Sequence, residues 1–233
     1  MKTSFLTAAL IGLATLIAPS ALLAQRPLER KDCIVRIESC EAILREFQAD
    51  PTTAIPSDVL ARARAIVITN QFKGGVILGI KDGYGVLLAK KADGQWGLPI
   101  LIRAGETSVG LQVGGQAIET IYIFNDDQTP RRMFAQRLNI GADADAVAVA
   151  GPRAASSQSS NDEILRTAVL VYTKARGLLA GATIKTGFLA ADNDANRLLY
   201  STNFTMPEIL DSDWINPPEE VQPLLSYIRS IAP

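Results

Sequence analysis

The sequence predicts an α+β fold, with a strongly curved antiparallel β-sheet or barrel-like body and helices at the N- and C-terminal ends. Three observations carry this. Apolar residues recur at helical spacing near the two ends of the chain. Short β-branched or apolar runs fill the middle, as in GGVILGI, GYGVLLAKK and WGLPILIRA. Glycine punctuates those runs where a sheet would bend or backbones would approach closely.

The opening residues, MKTSFLTAALIGLATLIAPSALLAQ, place Lys2 before an apolar stretch from Phe5 to Ala18 and end on the small residue Ala24. That is the pattern of a secretory signal peptide over residues 1–24. The apolar run is shorter than the roughly 20 residues a spanning helix needs. The expected location is therefore outside the cytoplasm, periplasmic or extracellular, with peripheral rather than transmembrane contact to any membrane.

Residues 25–54 are expected to hold an N-terminal amphipathic helix and a linker. Cys33, Ile37, Cys40, Leu44 and Phe47 step by four, three, four and three, so one helical face covers roughly residues 34–48. On one continuous helix the two cysteines would lie about 10 Å apart, beyond disulfide reach. An exported location favours oxidation, so a bridge remains open if the helix starts after Cys33, and two free half-buried thiols are the alternative.

The body is expected over residues 55–205. Ser57 can cap a short helix in SDVLARARA, which leads into the strand-like AIVIT. ADGQ at 92–95 sets Asp93-Gly94 between two apolar runs, a hairpin signal because both residues accept positive φ. Gly75, Gly79 and Gly85 are echoed by Gly177, Gly181 and Gly187 at a constant offset, which suggests related antiparallel hairpins over 75–91 and 177–191. TPRRMFAQ reads as a short helix, LNIGADADAVAVAGP as a strand pair or bent strand, residues 154–162 as a polar loop, and DNDAN as a turn. The tail, 206–233, ends in a proline-started amphipathic helix within PPEEVQPLLSYIRSIAP.

Composition removes several function classes. The chain has 23 basic and 24 acidic residues, so no global basic field draws it to nucleic acid. It has no histidine, which removes the commonest general base and metal ligand. The glycines at 105, 110, 114 and 115 do not match a dinucleotide fingerprint, and the run that follows, AIETIYIF, suits a strand rather than a helix. Asp143 and Asp145 are the best candidate acidic pair, yet no recognisable catalytic motif accompanies them. No catalytic residue, metal ligand or cofactor is assigned, and the chain is not expected to be an enzyme.

Four blocks in order, DGQWGLP, SVGLQVGGQAIETIYIF, LNIGADADAVAVAGP and YTKARGLLAGATIKTG, resemble the SYLF domain family over roughly residues 36–204. Glu119 departs from the aspartate common in that family. The resemblance implies a lipid-binding module of the cell envelope that meets anionic phospholipid headgroups, without actin as a partner for an exported member. The cations around the echoing glycines are the candidate contacts: Lys73, Lys81, Lys174 and Arg176 first, then Arg62, Arg64, Lys90 and Lys91. A non-catalytic protein-interaction or assembly module is the competing reading. The sequence leaves the oligomeric state open.

Overall fold

The computed structural model describes residues 26–75, 78–109, 114–148, 167–177 and 187–233. The expected signal peptide, Gly181 and the loop at 154–162 lie outside the described residues.

Helix α1 (Arg30–Ala49) starts four residues before the periodic face suggests. The reason is a reciprocal cap, in which Glu29 N–H donates to Asp32 Oδ2 at 2.9 Å while the Glu29 side chain receives the N–H of Asp32. The face that the periodicity picks out is the buried one: Cys33, Ile37, Cys40, Leu44 and Phe47, joined by Ile43. Both cysteines are free and buried. Their thiols point to backbone carbonyls on different elements, Cys33 Sγ to Ala195 O at 3.5 Å and Cys40 Sγ to Ile68 O at 3.7 Å.

After a short helix α2 (Ser57–Arg62) come β1 (Ala65–Gly75), β2 (Leu78–Ala89), β3 (Ile100–Val109) and β4 (Gly114–Phe124). Helix α3 (Gln128–Arg131), a 3-10 turn (Arg132–Phe134), β5 (Leu138–Asn139), β6 (Ala146–Ala148), β7 (Val169–Gly177) and β8 (Phe188–Ala191) follow. The described strands form one curled sheet in the order β5-β8-β3-β2-β1-β4-β7-β6. Every pairing is antiparallel except β6 on β7.

The α+β expectation holds, with two corrections inside it. Residues 78–89 are a single strand, and β7 and β8 are not a hairpin: four strands separate them in the sheet. Each found a better partner elsewhere, β7 along β4 from Gln116 to Phe124 and β8 along β3 from Ile102 to Gly105. DNDAN is not a turn but the start of helix α4 (Asn193–Tyr200), where Asp192 accepts the N–H of Ala195 at 3.3 Å. Asp and Asn serve both purposes because their short side chains capture nearby backbone N–H groups.

Asp93-Gly94 does make the expected tight reversal: Lys91 N–H donates to Gln95 O at 2.8 Å, and Gly94 has φ of 82°. Gly83 serves the sheet differently. A Cβ there would sit 2.2 Å from the carbonyl oxygen of Asn70, so β1 and β2 approach more closely than any side chain would permit.

Helices α5 (Met206–Leu210) and α6 (Gln222–Ile231) complete the chain. One hydrophobic core runs from Cys33 on α1 through the sheet to Leu225 and Ile228 on α6. Two ion contacts reinforce the closure of α1 on the C-terminal segment: Arg30 holds Glu220 by two bonds at 3.0 and 3.2 Å, and the Arg45 guanidinium lies 4.0 Å over the Tyr227 ring. Among the described residues no helix is long and apolar enough to cross a membrane.

Candidate functional site

The eight candidate cations do not form one patch. β1 carries Arg64 just before its first residue and Lys73 near its last, so the two positions stand about 30 Å apart at the rise of a strand. Arg62, Arg64, Lys90 and Lys91 gather at the first end, and Lys73, Lys81, Lys174 and Arg176 occupy the half of the sheet toward the other.

At the first end the charges hold the fold together. Arg64 forms a bidentate pair with Asp127, and the pairing raises the guanidinium's affinity for its proton while it lowers that of the carboxyl. Lys91 pairs with Asp213 and, at 3.7 Å, with Asp93. Lys90 is buried; its Nζ donates to Pro233 O at 2.7 Å and lies 5.3 Å from the centre of the Trp96 ring. Burial, with the nearby Arg64 charge, lowers its pKa below the ordinary lysine value. Arg62 alone of these four is exposed and without an ion pair among the described residues.

The other end is built differently. Lys73 and Lys81 occupy the two positions of one antiparallel rung, with Glu106 next to Lys81 on β3. Like charges directly across a ladder disfavour the pairing. The adjacent rung carries Asp82, Phe72, Ala117 and Arg176 in turn across β2, β1, β4 and β7. Phe72 is 61% exposed, an unusual place for a large aromatic in the middle of a sheet. Two rungs further in, Arg103, Tyr84, Asn70, Glu119 and Lys174 cross the sheet from β3 to β7.

That inner rung borders α1. Asn70 Nδ2 donates to Ser39 Oγ and to Tyr84 Oη, both at 3.2 Å, and Tyr84 Oη to Ser39 Oγ at 3.1 Å. Arg36 reaches Asp192 at 2.9 Å and lies 5.4 Å from the Tyr84 ring centre, while Lys174 reaches Glu46 at 3.4 Å. Arg103 is exposed and makes no ion pair among the described residues. No sequence signal marks Arg103 or the exposure of Phe72. The polar row thus ends in an open cation on β3, with an exposed aromatic two rungs away.

Asp143, one of the two candidate acidic residues, serves a turn. Asp143 Oδ2 accepts from the Asn139 N–H and Nδ2, each at 2.8 Å, which closes the turn between β5 and β6 and lowers the carboxyl's pKa. Asp143 is therefore occupied as a turn residue, with Arg132 Nη1 donating to its carbonyl at 2.7 Å.

Comparison with known proteins places these features in a family context. The family model named Ysc84, described as Las17-binding protein actin regulator, matches residues 105–231. LAS seventeen-binding protein 3 of Saccharomyces cerevisiae is 32% identical over 188 residues, which is 80% of this chain and 40% of that protein. Protein YSC84 of the same yeast is 31% identical over 188 residues, 80% of this chain and 39% of the relative. SH3 domain-containing YSC84-like protein 1 of Homo sapiens is 27% identical over 180 residues, 75% of this chain and 52% of the relative. The chain thus spans two fifths to about half the length of these relatives. No solved structure matches it.

Proposed function

The chain belongs to the SYLF (Ysc84) family, and from that premise we propose that it is an exported, non-catalytic module that docks peripherally on anionic phospholipid headgroups of the cell envelope. The observation that carries the proposal is the sheet end at which the Lys73–Lys81 rung adjoins the rung of the exposed Phe72, the two on opposite faces of one rim. A rung of like charges costs stability in isolation and is relieved by an anion lying across it. Each lysine or arginine near an anionic surface contributes about 1 kcal/mol. Arg176 stands one rung, and Lys174 and the open Arg103 three rungs, from that position. Phe72 supplies apolar area that can enter the headgroup region. The four cations of the first end have structural partners or lie far from this rim, so they are secondary contacts in the proposal.

Flotation with anionic and with neutral vesicles tests it. Binding is expected only to the anionic vesicles and should fall steeply as salt rises, because exposed charges are screened over about 8–10 Å at physiological salt. Joint reversal of Lys73 and Arg176 to Glu should abolish binding without lowering the melting temperature. Binding that survives the double reversal overturns the assignment to this rim.

A second reading has its own support. The family description and one yeast relative's name refer to Las17 binding, which is protein recognition. On that reading the same exposed rim takes a protein of the envelope, and cytoskeletal actin is not the partner of an exported chain. Absence of flotation at low salt, together with a saturable protein partner lost in the same double variant, decides for it.

A further inference from the structure

A second exposed aromatic surface lies far from the Phe72 rim. Phe204 and Trp214 are 42% and 63% exposed, and their rings meet edge to face, with centroids 6.3 Å apart and planes at 87°. Two perpendicular rings make a corner with two aromatic walls. The corner is rigidly held. Ser212 Oγ accepts the N–H groups of Trp214 and Ile215 at 3.2 and 2.8 Å, Arg131 grips Asp211 by two bonds, and Lys91 pairs with Asp213. On the other side, Phe204 N–H donates to Thr202 Oγ1 at 3.2 Å.

The chain segment that carries the corner has charge of one sign. Between Arg197 and Arg229 the chain has no lysine or arginine, but it has Glu208, Asp211, Asp213, Glu219 and Glu220. The faces of aromatic rings are themselves negative and attract cations. The nearest carboxylates, Asp211 and Asp213, are already taken by Arg131 and Lys91. A primary ammonium would therefore lose its water shell without gaining strong acceptors. A quaternary ammonium carries its charge behind methyl groups, needs no acceptor and loses little hydration on entry.

We propose that Phe204 and Trp214 form a binding corner for a quaternary ammonium group, the chemistry of choline, at a place distinct from the anionic-headgroup rim. The corner rests on observations independent of that rim. It gives the molecule a cation subsite near the Lys91 end of the sheet and an anion rim toward the Lys73 end.

The sequence has two tryptophans, which makes the test direct. Trp96 is buried, with its indole N–H donating to Ala232 O, so its indole NMR signal is an internal control. Titration of the full chain with choline should move the Trp214 indole signal with millimolar half-saturation and leave Trp96 in place. Neopentyl carbinol, the uncharged alcohol in which carbon replaces choline's nitrogen, should bind several-fold more weakly. Phe204→Leu should weaken choline binding about twofold to fivefold, the range for one exposed cation–ring contact. A third arm with phosphatidylcholine vesicles separates the sources: a Trp214 response at lipid concentrations where free choline gives none assigns the site to a lipid headgroup, and the reverse assigns it to a soluble cation. A Trp214 signal unmoved by both overturns the proposal. So does an equal response to neopentyl carbinol, or undiminished choline affinity in a Phe204→Leu protein of unchanged melting temperature.

Discussion

Arg64 grips Asp127 through two parallel bonds, Nε to Oδ1 at 2.8 Å and Nη2 to Oδ2 at 2.9 Å, and so ties the entry of β1 to the segment leading into α3. The two side chains are 38% and 49% exposed, so solvent screening limits the pair to at most about 1 kcal/mol. The same engagement takes Arg64 out of the pool of cations free to meet a membrane. Its role is local.

The expected outcome for Arg64→Ala is therefore a stability loss of roughly 0.5 kcal/mol by urea denaturation, with flotation on anionic vesicles unchanged. The Lys73 and Arg176 double reversal should give the opposite pattern. If Arg64→Ala loses vesicle binding to the same degree, the two ends of the sheet do not divide the work as argued above.

The contrast between those two ends marks the limit of sequence reading. The buried face of α1, the strand character of AIVIT and AIETIYIF and the Asp93-Gly94 reversal were legible because periodicity and turn chemistry are local. The partners of the cations were not. Asp127 lies 63 residues from Arg64 and Asp213 lies 122 from Lys91, distances over which no spacing rule operates. The glycine echo failed for the same reason: similar text at 75–91 and 177–191 says nothing of which strand each segment will pair with, and β8 chose β3. Phe72 stands alone among polar residues and glycine in TNQFKGG, where no spacing marks it as buried or exposed, and the fold leaves it uncovered.

Titration gives a prediction with a definite sign. Asp127 beside Arg64, Asp143 under the Asn139 N–H, Glu208 under the Thr205 N–H and Glu220 beside Arg30 all have carboxyl pKa values lowered from 3.8 or 4.5. A lowered folded value means that the native state favours the ionised form. The stability gained is complete above the unfolded values and is lost as pH falls through the folded ones. With no histidine in the chain, no side chain at its ordinary value changes charge between about pH 5 and 8. Burial raises the thiol pKa values of Cys33 and Cys40 and moves them further from that window. The melting temperature should be level from about pH 5 to 8 and drop below about pH 4. A transition near pH 6.5 would contradict this account.

The last prediction concerns Asn196, which acts as a missing piece of strand. β8 pairs with β3 only as far as Ala191 opposite Ile102; at the next residue of β3, Leu101, the carbonyl still accepts the Asp192 N–H at 3.2 Å, but the N–H is left to α4. There Asn196 Oδ1 accepts the Leu101 N–H at 2.8 Å, and Asn196 Nδ2 donates to the Leu101 carbonyl at 2.8 Å and to Asp192 O at 2.9 Å. Asn196 is 1% exposed, so water cannot replace those bonds at low cost. Asn196→Ala leaves the buried Leu101 N–H without a partner, while the Leu101 carbonyl keeps the Asp192 N–H, and the expected loss is roughly 1–3 kcal/mol. Asn196→Asp should be worse than the near-identical shape suggests. It keeps an acceptor for the Leu101 N–H but sets a second carboxylate oxygen against two carbonyls, where the amide donated. Urea denaturation of the two variants checks the order. If Asn196→Asp is as stable as the parent at pH 7, the amide is not closing the edge of β3.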